Sequence, residues 1–209
     1  MGKKVPANPI PEEYYDRFKY KLEEASKKYP ERNMMIFYIG VGTGYRTQDI
    51  VDLTIGKLIE FIEDEKFVIQ EKKQLKAWET YMKKHPKSKR KKPEPREAII
   101  KPRLKKMLKE FVKGKSKSEY AFQSNKLGEP IEAKSYSEIL AKVGKKLKLK
   151  HISGHSMRKT YAMRLWEATK DIEYVRVMLG HQDIETTKRY LGLSDGAKEE
   201  AAEIADDRL

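Results

Sequence analysis

The sequence predicts a mainly α-helical protein with one small antiparallel β-sheet, an α+β fold. Apolar residues recur at helical spacing through most of the 209 residues, and two short runs, 67–69 and 96–101, have the composition of strands that pair in a hairpin. A long basic segment separates these two runs, so we expect a hairpin with an extended insert. With 38% hydrophobic residues, the chain has enough apolar side chains for a core at this length.

Three helices are predicted before the first strand. Apolar residues at helical spacing between 14 and 25 indicate a first helix that ends before Pro30. Asn33 is the predicted N-cap of a second helix, which we expect to stop at the glycine-rich run 40–44. A third, short helix is expected after Thr47, whose hydroxyl is suited to an N-cap.

Helical patterns dominate the rest of the chain. Leu75, Trp78 and Met82 indicate a short helix in the insert, and Pro102 is well suited to start the helix after the second strand. A brief strand is expected at 120–123, before a turn at 128–130. The remaining predicted helices cover 136–147, 156–168, 171–179, 183–191 and 197–205.

Composition excludes several classes of protein. The chain has no cysteine, hence no disulfide, thiolate zinc site or cysteine nucleophile, and its four histidines form no H-E-x-x-H motif. The longest apolar run, near 34–39, is far shorter than the ~20 residues of a membrane span, and the N-terminus lacks the apolar region of a secretory signal. We expect an intracellular protein without a metal or other cofactor.

The charge of the chain is concentrated in one segment. The net charge is +14, and residues 72–117 contain 19 basic and 4 acidic residues, a net charge of +15. Such a segment favours a polyanionic partner, and nucleic acid is the leading prediction. For 83–92 a solvated, disordered loop is an open alternative. An anionic membrane surface is less consistent, because the lysines do not fall on one helical face.

Four polar positions could carry chemistry, although each alone is compatible with ordinary packing. His155 and Arg158 are three residues apart on a predicted helix, so they can share one face. His181 follows Leu-Gly where a helix is expected to end, and Tyr190 comes nine residues later. The glycines at 40–44 have the wrong spacing for a nucleotide-binding loop.

Together these positions resemble the catalytic domain of the tyrosine recombinase (phage integrase) family. The family motifs are H-x-x-R, L-G-H and a nucleophilic tyrosine nine residues after that histidine. They are matched here by His155-Ser-Met-Arg158, Leu179-Gly180-His181 and Tyr190. Upstream, Thr43-Gly44-Tyr45-Arg46 resembles the first-arginine box. The resemblance implies a catalytic domain at 31–193, preceded by a helical lead-in at 1–30 and followed by an acidic helix or tail at 194–209.

The resemblance implies a site-specific DNA recombinase or integrase that cleaves and rejoins DNA through a covalent 3′-phosphotyrosyl intermediate, without metal or ATP. Arg46 and Arg158 would hold the phosphate, His155 the phenolic proton of Tyr190, and His181 a phosphoryl oxygen. The family lysine, often in K-T-x-K, lies at a hairpin turn. Lys73 is assigned to this role because Gln74 stands in the place of the threonine, and Lys72 and Lys76 are alternatives.

The partner implied by the resemblance is double-stranded DNA, bound by a homo-oligomer as a tetrameric synapse, with a DNA-associated cytoplasmic location and no membrane. The predicted DNA-binding residues are Lys72, Lys76, Lys89, Arg90, Lys91, Lys92 and Lys159. The acidic tail, with apolar residues at 201–205, is expected to dock on a neighbouring copy. About 45 residues precede Arg46, too few for the core-binding domain usual in the family. We therefore expect either a catalytic fragment or a protein with half of the usual DNA clamp.

Two other functions compete with recombination. A type IB topoisomerase-like enzyme shares the nicking chemistry but only relaxes supercoils as a monomer. A non-catalytic DNA-binding module would keep the scaffold without the reaction. The L-G-H motif favours the recombinase over the topoisomerase, and the intact set of motif residues argues against the non-catalytic module.

Overall fold

The structure, a computed structural model, describes residues 5–126 and 128–193, together with 203, 205 and 206. Its regular elements up to residue 193 confirm a mainly helical fold with one small antiparallel sheet. In chain order they are α1 (Glu12–Ala25), α2 (Pro30–Thr43), α3 (Thr47–Val51), α4 (Ile55–Glu63), β1 (Lys66–Ile69), α5 (Lys72–Lys84), β2 (Arg96–Ile99), α6 (Pro102–Val112), α7 (Ala133–Lys146), α8 (Gly154–Thr169), α9 (Ile172–Leu179) and α10 (Ile184–Leu191).

The sheet is the predicted hairpin. β1 and β2 pair antiparallel with Phe67 opposite Ala98, and Phe67 is fully buried. The predicted strand at 120–123 is wrong. Tyr120 and Gln123 each form a single bridge, to Thr54 and Pro130, because no second extended segment runs beside them.

One large apolar core joins the N-terminal helices to the sheet and to α6–α8. The Phe18 ring of α1 stacks on Phe37 of α2 with centroids 5.7 Å apart, and both side chains are fully buried. A smaller cluster around Ala162, Val175 and Leu179 joins α8 to α9 and supports α10. Burying each large side chain stabilises the fold by roughly 1.5–3 kcal/mol, so this second cluster fixes the C-terminal helices.

The second helix starts earlier than the sequence predicted and ends within the predicted glycine-rich run, with Gly44 as its C-cap. It starts at Pro30, whose missing N–H costs nothing in the first turn. Asn33 is therefore not an N-cap: its buried amide donates to Ser26 Oγ at 3.0 Å. The helix also continues past Gly40, where a Cβ would lie 2.7 Å from the sulfur of Met157, so glycine lets α8 pack against α2.

Two further differences concern α3 and α4. Thr47 is not the N-cap of α3, a position that Arg46 occupies; its hydroxyl instead donates to the carbonyl oxygen of Gly154 at 3.1 Å. Helix α4 was not predicted, although Ile55, Leu58 and Ile62 have helical spacing and are buried. The Thr54 hydroxyl caps it by accepting from the Lys57 backbone N–H.

The hairpin insert begins with helix α5, which extends beyond the short helix expected around 75–82 and has no buried residue. The segment that follows lies against it. Trp78 Nε1 donates to the carbonyl oxygen of Arg90 at 2.9 Å, and the Arg90 guanidinium lies 4.8 Å from the ring centroid of Tyr81. The basic run 83–92 is thus folded back on its own helix.

The predicted C-terminal helices are confirmed as α8, α9 and α10, each with a side-chain cap. Ser153 forms a capping box with Ser156, while Asp171 and Asp183 accept from backbone N–H groups in the first turns of α9 and α10. The predicted helix at 197–205 and the acidic tail lie outside the described residues, apart from 203, 205 and 206. In the described part of the chain, no helix is long and apolar enough to cross a membrane.

Candidate active site

Four of the six predicted catalytic residues come together where helix ends meet. Arg46 precedes α3, Arg158 lies in α8, His181 follows α9, and Tyr190 is near the end of α10. The pKa of Tyr190 is raised by burial and lowered by Arg158 and Arg46, so its hydroxyl is in the field of both guanidiniums. The cluster is therefore built from segments that are far apart in the sequence.

Arg158 is the most buried of these groups, with 2% of its side chain exposed. Its Nη1 donates to the carbonyl oxygen of Gly44 at 2.8 Å and to Glu71 Oε1 at 2.5 Å, and its Nη2 donates to the carbonyl oxygen of Leu179. Burial lowers the pKa of Arg158, and Glu71 opposes that effect. These contacts use three of its five N–H donors.

Glu71, directly before α5, lies between Arg46 and Arg158. Its carboxylate is fully buried, with Oε1 bound to Arg158 and Oε2 2.5 Å from Nη1 of Arg46. Nε of Arg96 is 3.6 Å from Oε1. Burial raises the pKa of Glu71, but the three guanidiniums outweigh burial and the net pKa is lowered. Sequence reasoning missed Glu71, because a single glutamate before a lysine run carries no signal.

Arg96 of β2 makes contacts that parallel those of Arg158. Its Nη1 donates to the carbonyl oxygens of Thr43 at 2.9 Å and Met178 at 3.1 Å, and its guanidinium lies 3.7 Å from the ring centroid of Tyr45. Both arginines therefore join the C-terminal end of α2 to that of α9. The negative ends of two helix dipoles thus face this cationic cluster.

His181 and Tyr190 face each other beside the arginines. Their ring centroids are 5.4 Å apart in an edge-to-face arrangement, and His181 Nδ1 is 3.0 Å from the hydroxyl of buried Thr187. Burial, Arg158 and Arg46 lower the pKa of His181 to about 4, so the imidazole is neutral at pH 7. Burial raises the pKa of Tyr190 to about 12. The Tyr190 hydroxyl is buried and has no hydrogen-bond partner among the described residues.

The loop that carries His181 is held by side chains at successive positions. The Met178 and Leu179 carbonyl oxygens accept from Arg96 and Arg158, as described above. Those of Gly180 and His181 accept from Gln74 and Arg176, each at 2.7 Å. The next side chain, Gln182, accepts from Arg90 of the insert. The insert and β2 therefore help to fix the L-G-H loop.

Asp49 connects the first-arginine box to the insert. Its Oδ1 accepts from the Lys72 backbone N–H at 3.0 Å, and burial raises the pKa of its carboxyl. The Lys72 ammonium is paired with Asp52. Asp49 thus anchors the first turn of α5.

The other predicted site residues lie outside the buried cluster. Lys73 and Lys76 are on the exposed surface of α5, and His155 is exposed in the first turn of α8 while Arg158, one turn later, is buried. Lys159 Nζ lies 5.4 Å from the ring centroid of Tyr190. The predicted DNA-binding residues of the insert are all exposed: Lys72, Lys76, Lys89, Arg90, Lys91 and Lys92.

Comparison with known proteins defines the class. Residues 11–196 match the phage integrase family. The chain is 26% identical over 174 residues to "Probable integrase/recombinase YoeC" of Bacillus subtilis, covering 83% of this chain and 84% of that protein. The crystal structure of XerA recombinase superposes with a TM-score of 0.61 at 20% identity, covering 96% of this chain and 65% of that chain. The Tn1549 transposon integrase in complex with transposon right-end DNA gives a TM-score of 0.66 at 18% identity, covering 99% and 67%.

The chain therefore belongs to the phage integrase family, the tyrosine recombinases, which are site-specific DNA recombinases. The resemblance predicted from the motifs is confirmed, and so is the fold. The chain spans less than two thirds of the XerA chain.

Proposed function

We propose that this chain cleaves and rejoins DNA by site-specific recombination, with Tyr190 as the nucleophile of a covalent 3′-phosphotyrosyl intermediate. The observation that carries the proposal is that Tyr190, with its hydroxyl buried, packs against His181, in the loop whose Leu179 carbonyl oxygen accepts from Arg158, within one chain. The edge-to-face contact places the polar imidazole of His181 beside the Tyr190 ring. This combination suits attack on an anionic phosphodiester.

The reaction is an in-line displacement at phosphorus. The Tyr190 oxygen forms a bond to phosphorus, the bond to the 5′ oxygen breaks, and a proton is transferred to that leaving oxygen. The negative charge that develops on the non-bridging oxygens is held by Arg46 and by the two N–H donors of Arg158 that its protein contacts leave over. Removing one such preorganised donor from a dry site costs about 3–4 kcal/mol of transition-state stabilisation.

Proton transfer and rejoining follow from the same groups. His155, one turn before Arg158, accepts or holds the phenolic proton, a role that suits an imidazole. A free 5′ hydroxyl then attacks the phosphotyrosyl bond and releases Tyr190. Because that bond conserves the energy of the phosphodiester, rejoining needs neither ATP nor a metal ion.

His181 is proposed to donate to a phosphoryl oxygen. The neutral imidazole has one N–H, and the Thr187 hydroxyl lies 3.0 Å from Nδ1. If Thr187 donates to Nδ1, the proton of the ring is on Nε2 and is directed away from Thr187. Thr187 would then set the tautomer that His181 needs.

The general acid is proposed to be Lys73, with Lys72 and Lys76 as alternatives. All three lie in the first two turns of α5, close in sequence to Glu71. Glu71, the residue before Lys72, contacts Arg46 and Arg158, so the backbone at the start of α5 adjoins the arginine cluster.

DNA is the proposed partner, and the insert is the proposed contact surface, together with Lys72, Lys76 and Lys159. Recombinase neighbours have been solved in complex with DNA. Replacing Lys89, Lys91 and Lys92 with glutamine should weaken duplex binding and reduce the salt slope of log Kd by about 0.9 per lost phosphate contact. The matched control replaces three exposed lysines of α7: Lys142, Lys145 and Lys146. Equal slopes for both triple variants would show that the insert does not bind phosphate.

We further propose a homo-oligomer on DNA, a tetrameric synapse, and a DNA-associated location in the cytoplasm. The division into a lead-in at 1–30, a catalytic domain at 31–193 and an acidic tail at 194–209 also stays a proposal. In the structure, α1 packs on α2 and α7.

A nicked suicide duplex tests the central proposal, because cleavage traps the protein as a covalent adduct with DNA. Wild type should form the adduct, Tyr190→Phe should not, and the matched control Tyr14→Phe should form it normally. Arg158→Lys keeps a cation but loses the fork, and should bind DNA while cleaving at least 100-fold more slowly. A covalent adduct formed by Tyr190→Phe would overturn the assignment of Tyr190 as the nucleophile. Relaxation of a random plasmid without strand exchange would favour a topoisomerase.

A further inference from the structure

Glu71 is the one carboxylate that contacts both catalytic arginines among the described residues. Its two oxygens are divided between them: Oε1 accepts a hydrogen bond from Arg158, and Oε2 forms an ion pair with Nη1 of Arg46, each at 2.5 Å. The carboxylate has no exposed surface, whereas 16% of the Arg46 side chain remains exposed. Glu71 is therefore behind the arginines, and part of Arg46 is open to a ligand.

The contacts of Glu71 determine how the two guanidiniums are spaced. A carboxylate holds its two oxygens at a fixed separation, so a nitrogen bound to each is fixed relative to the other. Arg158 is also anchored to the carbonyl oxygens of Gly44 and Leu179. In the described part of the chain, the guanidinium of Arg46 is restrained by its ion pair with Glu71.

The charges at this site also need Glu71. Arg46, Arg96 and Arg158 all lie within 4 Å of its carboxylate, and without it three guanidiniums would share one largely buried site. With it, the formal charge of the four groups is +2. That charge is suited to the phosphoryl group being transferred, because this group carries more negative charge in the transition state than in the ground state.

We propose that Glu71 is a positioning residue that holds Arg46 and Arg158 at the separation needed to grip the two non-bridging oxygens of the scissile phosphate. It acts through the two arginines and does not touch the DNA. The inference rests on the proposed function, since it assigns the arginines to the phosphate.

The test compares Glu71→Gln with Glu97→Gln in the full chain. Glu97 is an exposed residue of β2 that pairs with Lys66, so its change controls for loss of a carboxylate near the hairpin. With a suicide duplex, Glu71→Gln should lower the single-turnover cleavage rate at least 100-fold while the Kd for intact duplex changes less than threefold. Glu97→Gln should leave both within twofold of wild type. Cleavage by Glu71→Gln within threefold of wild type would overturn the proposal.

A second substrate separates positioning from general damage to the fold. In a methylphosphonate duplex, one non-bridging oxygen is replaced by methyl. This substrate therefore no longer needs an arginine to bind that oxygen. The defect of Glu71→Gln relative to wild type should therefore shrink at least tenfold on this substrate. An equal defect on both substrates would overturn the proposal.

A variant that keeps the charge covers the case in which Glu71→Gln does not fold. Glu71→Asp is shorter by one methylene and cannot reach both arginines from the same backbone position, so it should show the same loss of rate. Full cleavage by Glu71→Asp would overturn the proposal. If wild type itself forms no adduct, the proposed function fails; if wild type cleaves and the Glu71 variants cleave equally well, only this inference fails.

Discussion

The carboxamide nitrogen of Gln74 donates to the carbonyl oxygen of Gly180 at 2.7 Å, which joins the hairpin insert to the loop of His181. Gly180 ends α9 in a left-handed conformation, with φ of 63°. The start of α5 and the L-G-H motif are thus linked directly. A substitution in the insert should therefore alter the position of His181.

Replacing Gln74 with leucine keeps the size of the side chain and removes the donor. We expect the unfolding free energy to fall by about 1 kcal/mol, and cleavage of the suicide duplex to slow several-fold, because the Gly180 carbonyl loses its partner. Hydrogen exchange of the amides at 179–182 should speed up. Gln48→Leu, at an exposed residue bonded to Asp52, is the matched control. Unchanged exchange in Gln74→Leu would contradict the link.

Thr187→Val tests the proposed tautomer of His181. Valine matches threonine in shape, so the buried site stays filled while Nδ1 loses its partner. We expect cleavage to fall about 10-fold, equivalent to the ~1.4 kcal/mol of one hydrogen bond. The ¹⁵N shifts of the imidazole should show mixed tautomers. Thr186→Val, whose hydroxyl bonds Asp183, is the neighbouring control and should leave the shifts unchanged.

Acid should destabilise the protein through His181. Its pKa is about 4 in the folded chain and near ~6.5 when unfolded, so below pH 6.5 the unfolded state binds a proton that the folded state does not. This contribution to stability is fully present above pH 6.5 and is lost as the pH falls toward 4, by at most about 1.4 kcal/mol per pH unit. Urea unfolding from pH 4 to 8 should show this loss in wild type and a shallower one in His181→Asn. Parallel curves would exclude it.

Alanine substitutions at two glycines with similar backbone angles can distinguish the cost of a left-handed backbone conformation from the cost of steric crowding. Gly44 and Gly114 have φ of 67° and 72°, but a Cβ at Gly44 would lie 2.3 Å from Cδ1 of Tyr161, whereas nothing lies within 4 Å at Gly114. Gly114→Ala should cost about 1–2 kcal/mol of unfolding free energy. Gly44→Ala should cost about 1–3 kcal/mol more, because the ring has to move. Equal losses of unfolding free energy for the two variants in urea would show that the Tyr161 ring moves aside at no cost.

The choice between Lys72 and Lys73 can be made with a sulfur leaving group. A thiolate leaves without being protonated, since a thiol has a pKa near ~8.5. Lys73→Ala should slow cleavage of the normal duplex about 100-fold and recover on a 5′-thio duplex. Lys72→Ala, which removes the partner of Asp52, should show no such recovery. Recovery in Lys72→Ala alone would reassign the acid.

Motif spacing predicted the parts of the site that are local in sequence. The interval between His181 and Tyr190 follows from a helix end, the Asp183 cap and two turns of α10, all of which are visible in the residue pattern. Glu71 could not be found this way, because its contact with Arg158 spans 87 positions and depends on the tertiary packing that brings the start of α5 to α8. The start of α2 was missed because the amide of Asn33, a typical cap residue, is instead used in a buried contact with Ser26.

Tyr190, Arg46 and Arg158 belong to one polypeptide in the proposed site, and this has a genetic consequence. On this proposal every copy carries its own reaction centre, so two defective copies should not complement each other by supplying one group each. Mixing Tyr190→Phe with Arg158→Lys protein should give no more adduct than the sum of the separate preparations. A loss-of-function allele would therefore block cleavage only of the DNA strand that its own protein product binds.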